Sequence, residues 1–95
     1  AAERRAAIAV PHSLNAAVLA AKDTDDVEVI VSAALAVVIG EPLAKHEYTT
    51  VFDATTLEAI VTLTQAQRSF GKVRIGTAVW FGDVRLIDNR DLFPA

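Results

Sequence analysis

Hydrophobic positions in the first forty residues follow a helical period. Ala7, Val10, Leu14, Ala17, Val18 and Ala21 recur every three or four positions and form a narrow stripe of small apolar side chains, which suits close packing against another helix. The stripe predicts a helix over residues 2–22. Pro11 interrupts it, because proline offers no N–H to the carbonyl of Ala7 and its ring crowds that turn, costing about 3 kcal/mol in a helix interior. Two outcomes stay open: one helix kinked at Pro11, or a shorter helix with Pro11 in its first position and residues 1–9 loosely held.

A second helix is expected over residues 25–39, where Val27, Ile30, Val31, Ala34, Leu35 and Val38 repeat the pattern behind the polar run Asp23-Thr24-Asp25-Asp26. Asp25 followed three residues later by Glu28 is a capping-box candidate, Asp26 adds negative charge at the helix N-terminus, and Gly40-Glu41-Pro42 supplies the stop. The acidic cluster therefore has a capping role. It fails as a calcium loop, since a loop begun at Asp23 has Val27 at its fifth position and Glu28 where the sharp turn requires glycine.

Beyond Pro42 the period changes. Glu47-Tyr48-Thr49-Thr50-Val51-Phe52-Asp53 is rich in β-branched and aromatic residues and reads as a strand. Residues 54–70 carry mixed signals: Leu57, Ile60, Val61 and Thr64 have helical spacing, while the threonines and Gly71 favour turns, so only a connection with one helical turn is assigned. Lys72–Phe81, Gly82-Asp83 and Val84–Asp88 then read as a hairpin with a two-residue loop. Counting outward from Phe81 opposite Val84 pairs Val79 with Leu86 and Thr77 with Asp88 on the expected core face. Trp80–Arg85 and Ala78–Ile87 share the other, where Trp80 and Arg85 are placed to stack as a cation-π pair. Lys72, Arg74 and Arg85 are expected to project from one sheet face, where they could meet phosphate or water, the solvated face being the favoured reading. Two helices followed by three strands give a two-layer α+β domain, its two main helices packed on one face of a three-stranded antiparallel sheet.

Composition narrows the function. With 95 residues, 53% of them hydrophobic and 22% charged, the chain suits one compact core and no membrane span of about 20 apolar residues. A net charge of −3 argues against nucleic acid and anionic lipid as partners. The absence of cysteine excludes disulfides and thiolate metal sites and is compatible with the cytoplasm. No phosphate loop, GxGxxG, GxSxG or HExxH motif occurs. His12 and His46 lack a second ligand at metal-site spacing. Ser13 beside His12 is no nucleophile–base pair, because neighbours on a helix point about 100° apart. No catalytic, cofactor-binding or metal-binding residue is assigned.

The run Ala78-Val79-Trp80-Phe81-Gly82-Asp83-Val84-Arg85-Leu86-Ile87-Asp88-Asn89 resembles the closing hairpin of the pantothenate synthetase (pantoate-β-alanine ligase) family, an apolar strand, a glycine, then a strand ending in Arg-Leu-Ile-Asp-Asn. Tyr48, Val51, Asp53 and Leu57 resemble the family's preceding Asp-Tyr strand, and Glu3-Arg4 ahead of an Ala-rich helix fits the segment that follows its Met-Ser-x-Arg-Asn loop. The resemblance covers essentially the whole chain. Glu47 stands where the family often has Asp, Thr50 where an acidic residue is common, and residues 58–70 form a longer connection. Neither the Met-Ser-x-Arg-Asn loop nor the paired-histidine motif of the nucleotidyltransferase superfamily lies within the 95 residues.

The resemblance implies that residues 1–95 are the C-terminal lid domain of such an enzyme. The parent would be a cytoplasmic ligase of pantothenate biosynthesis, on the coenzyme A pathway. With ATP and magnesium it would join pantoate and β-alanine through a pantoyl adenylate, releasing AMP and pyrophosphate. It further implies that this chain's partner is the parent's N-terminal nucleotide-binding domain, that substrates bind in the parent, that no cofactor binds the isolated chain, and that the chain alone is inactive. The alternative reading is a non-catalytic α+β interaction module, a homodimer formed through an exposed sheet edge or helix face.

Overall fold

The computed structural model describes residues 2–69 and 71–94; Phe70 and the side chain of Glu3, which entered the sequence reading, lie outside the described residues. A short helix α1 (Ala2–Ala6) precedes α2 (Ala9–Ala20) and α3 (Val27–Ile39), followed by β1 (Ala44–Asp53), a one-turn helix α4 (Gln65–Ser69), β2 (Val73–Phe81) and β3 (Val84–Asp91). The strands form one antiparallel sheet in the order β1-β2-β3. Helices α2 and α3 cover one face of it, α3 over β1 and α2 over β2 and β3, which is the expected two-layer α+β arrangement.

The helix predicted over 2–22 is two helices separated at Ala7-Ile8. Pro11 occupies the third position of α2, where a backbone N–H has no intrahelical partner to lose. The Ala7 carbonyl, left without the N–H of residue 11, accepts instead from Val10 at 3.1 Å. Neither expected outcome is met, since the chain breaks one turn ahead of the proline. The second helix starts at Val27 rather than residue 25, and Asp26, not Asp25, caps it by accepting from the Glu28 N–H at 2.9 Å. Asp25 instead pairs with Arg68.

Strand β1 begins at Ala44, three residues earlier than its composition suggested, and the register shifts between His46 and Tyr48 to leave Glu47 as a bulge. The hairpin register is the one obtained by counting: Thr77, Val79 and Phe81 lie opposite Asp88, Leu86 and Val84, and the β2 members of those pairs are buried under the helices. Gly82 has φ 64° and Asp83 does not share a positive φ, the pattern of a type II′ turn, in which glycine leads.

The core has two apolar parts. The larger joins Leu14 and Ala17 of α2, and Ala21 at its C-cap, to Val27, Ile30 and Ala34 of α3, with Val51, Leu63, Val73, Ile75 and Leu92 beneath. The smaller joins Ala6, Val10 and Val38 to Val79 and Phe81. Among the described residues, two polar side chains are fully buried, Ser13 and Thr77. The 54–70 connection contributes Leu63 to the core, whereas Leu57 and Val61, which suggested a helical face, are 73% and 81% exposed. Hydrogen bonds from Thr55 and Thr56 N–H to Asp53 Oδ1, and from Leu57 N–H to the Asp53 carbonyl, turn the chain there, with Leu57 at φ 64°.

Candidate functional site

Three polar constellations emerge. The first lies on the outer sheet face, where the β-bulge pushes Glu47 toward the hairpin. Its carboxylate accepts from Trp80 Nε1 at 2.7 Å and from Arg85 Nε and NH2 at 2.9 and 2.6 Å. The Arg85 guanidinium, aided by the indole N–H, holds the Glu47 carboxyl below its ordinary range, and the Arg85 value is raised in return. Trp80 and Arg85 are neighbours as expected, but they share an acceptor and do not stack. Among the described residues, the cation-π contact is Arg68 over the Phe93 ring, 5.0 Å from its centroid. Sequence marks Glu47 only as a departure from the family the chain resembles; a two-residue alternation through an undetected bulge assigns it no partner.

The second runs through the centre of the sheet. Thr77 Oγ1 donates to the Tyr48 carbonyl at 2.9 Å. Its single proton being committed, the 2.9 Å contact with Thr49 Oγ1 has Thr49 as donor. Thr49 therefore accepts from His46 Nε2 at 2.8 Å, which fixes a proton on that nitrogen. The result is a one-way chain from His46 to a backbone carbonyl. It has no acceptor for a proton removed from a substrate and serves as a structural relay. His12 is exposed on α2, while Ser13 is buried and donates to the Val10 carbonyl at 2.7 Å, so the two share no site.

The third joins distant segments. Arg68 of α4 bonds Asp25 and the Thr24 carbonyl in the α2–α3 turn, tying the long connection to the helix layer. Arg74 is similarly held by Asn89 and Asp91 of β3, and Lys72 is exposed just before β2. Arg74 and Arg85 do lie on one face, each facing a carboxylate. Among the described residues, no buried side-chain polar atom lacks a partner, no three His, Asp or Glu side chains are grouped to hold a metal ion, and no helix is long and apolar enough to cross a membrane. An apolar cavity of about 390 Å³ forms a groove between α1 and the hairpin tip, lined by Arg4, Ala7, Phe81, Val84 and Leu86. It offers apolar contact and one cation.

Comparison with known proteins gives these surfaces a context. The model of the family described as Pantoate-beta-alanine ligase matches residues 1–91. The pantothenate synthetase of Agrobacterium fabrum is 40% identical over 89 residues, covering 93% of this chain and 29% of the relative. That of Clostridium botulinum is 33% identical over 88 residues, covering 92% and 29%. The crystal structure of the Thermus thermophilus enzyme superposes with a TM-score of 0.76 at 21% identity, over 90% of this chain and 29% of that one, a likeness of fold. The chain thus spans under a third of the length of the relatives it matches. A family match over nearly every residue, together with this two-layer fold, places the chain in the pantoate-beta-alanine ligase family.

Proposed function

We propose that residues 1–95 act as the C-terminal lid domain of a cytoplasmic pantothenate synthetase, closing over an N-terminal nucleotide-binding domain. There pantoate and ATP would form pantoyl adenylate and β-alanine would displace AMP. The observation that carries this reading is coverage: over nine-tenths of the chain aligns with only 29% of each relative, leaving the larger share of such an enzyme for the chemistry. The side chains agree with a covering role. Arg68, Arg74 and Arg85 each face a carboxylate of this chain. No catalytic step is assigned to them. A lid contributes by excluding water that would hydrolyse an acyl adenylate and by strengthening electrostatics within the closed site. The densely hydrogen-bonded sheet gives such a cover stiffness.

The test is a graft. Replacing the matched 89 residues of the Agrobacterium fabrum enzyme with this chain should preserve pantothenate formation, whereas deleting them should release AMP without matching pantothenate. The 95-residue chain alone should form none. Pantothenate made by the isolated chain, or a graft no better than the deletion, would overturn the reading.

A further inference from the structure

The chain places alanines where α1 meets the hairpin. Ala6 is buried in the smaller core cluster with Val10, Val38, Val79 and Phe81, and Ala7 packs at its margin, as Leu86 does. A methyl group is too short to fill the space beside the Phe81 ring, and the helix breaks at Ala7-Ile8 instead of continuing across it. The result is the cavity of about 390 Å³, with the buried Phe81 at its base and Ala7, Val84 and Leu86 along its sides. Val84 is 57% exposed, so the groove opens to solvent past the hairpin tip. Its volume lies within the range of small-molecule sites, about 300–1,000 Å³.

One charged side chain lines the groove. Arg4 stands one helical turn before Ala7 and borders the same cavity. Arg68, Arg74 and Arg85 are each held by a carboxylate and Arg90 by Asn15, whereas among the described residues no ion pair engages Arg4. A guanidinium carries donors and no acceptor, and its planar fork matches a carboxylate. A ligand must therefore bring both the oxygens and an apolar body. One guanidinium balances a single negative charge, not the several of a nucleotide. We propose that this groove binds a small aliphatic monocarboxylate, its chain against Phe81 between Ala7 and the Val84–Leu86 wall, its carboxylate on Arg4. Each methylene buried there should strengthen binding about fourfold, and the guanidinium selects acids over their neutral counterparts. For a ligand of so few atoms the dissociation constant should be on the order of a millimolar.

The test is a titration of the isotope-labelled 95-residue chain, followed by amide chemical shifts at about pH 7, where carboxylic acids are ionised. Hexanoate should give saturable shifts centred on Ala7, Val84 and Leu86. Butanoate, two methylenes shorter, should bind roughly tenfold more weakly, and hexanamide at least about threefold more weakly than hexanoate. Arg4→Gln should erase the preference for acid over amide while leaving hexanamide affinity within about twofold. Val84→Glu, at an exposed position, should abolish hexanoate binding, and Val61→Glu, 81% exposed on the 54–70 connection, should leave it unchanged. The proposal would be overturned by no saturation at roughly 20 mM hexanoate, well above the expected constant. Equal binding of hexanoate and hexanamide by the wild type, or hexanoate affinity unchanged in both Arg4→Gln and Val84→Glu, would overturn it as well. The wild-type comparisons need no variant to fold, and no readout depends on ligase activity, so they are independent of the graft.

Discussion

Thr77→Val removes one hydroxyl from a fully buried site while leaving volume and β-branching nearly unchanged, so its cost reports the hydrogen bonds alone. The Tyr48 carbonyl loses its side-chain donor and Thr49 its acceptor. Thr49 is exposed enough to turn to water, so the expected penalty is dominated by the carbonyl. An unsatisfied buried polar group costs about 1–3 kcal/mol, and a loss of about 2 kcal/mol is expected. For a domain of this size that lowers the melting temperature by roughly 8–16 °C. Thr77→Ser keeps both hydrogen bonds and loses one buried methyl, about 1 kcal/mol. The assay is thermal and urea unfolding followed by circular dichroism. Adding Thr49→Val should cost less in the Thr77→Val background than in the wild type, because its acceptor is already gone. A Thr77→Val chain that melts with or above the wild type, or strict additivity with Thr49→Val, would refute the relay.

Three further outcomes follow. Trp80 is the only tryptophan and donates to Glu47, so its fluorescence should report protonation of that carboxyl with a midpoint below 4.5, its ordinary value. A depressed carboxyl contributes stability above its unfolded value that is lost as pH falls through the folded one; the transition should vanish in Glu47→Ala. A Cβ on Gly71 would sit 2.7 Å from Gln67 Cα, a backbone contact that cannot rotate away, so Gly71→Ala should cost about 1–3 kcal/mol in a urea titration. Asp26→Ala removes the acceptor for the Glu28 N–H and should destabilise by about 1 kcal/mol, with Asp25→Ala not reproducing a capping loss because its side chain serves Arg68.

Where backbone period and local chemistry agree, the chain is legible. The hairpin register follows from Gly82-Asp83 and alternation, since a two-residue loop leaves one way to count. Helix α3 follows from its apolar repeat. The displaced features have a common physical origin in competition between neighbours or contacts distant in sequence. Asp25 and Asp26 are adjacent, equivalent caps by composition; Arg68, far along the chain, takes one and leaves the other to the helix. Pro11 signals a break but not its site, because the first turn of a helix tolerates proline beyond its favoured first position, and the missing hydrogen bond is felt one turn earlier. Leu63 joins the core through a connection without period. Of the polar constellations, only the Trp80–Arg85 neighbourhood was foreseeable. The Glu47 carboxylate that joins them enters through a bulge with no local signature, and the His46–Thr49–Thr77 relay requires two strands to be in register first.

The bulge at Glu47 changes what a change in length means in β1. On the Tyr48 side, Thr49 and Val51 face the helices opposite Thr77 and Ile75; on the other side, Ala44 and His46 do so opposite Phe81 and Val79. The bulge absorbs the extra residue. Deleting Glu47 would restore plain alternation: His46 and Ala44 would still face the helices opposite Val79 and Phe81, and Lys45 would still face outward. What deletion removes is the carboxylate that joins Trp80 to Arg85. Keeping Glu47 while losing the bulge has the opposite effect, since it would turn Lys45 beneath the helices and disconnect His46 from the relay, so this strand should tolerate loss of the residue better than loss of the bulge.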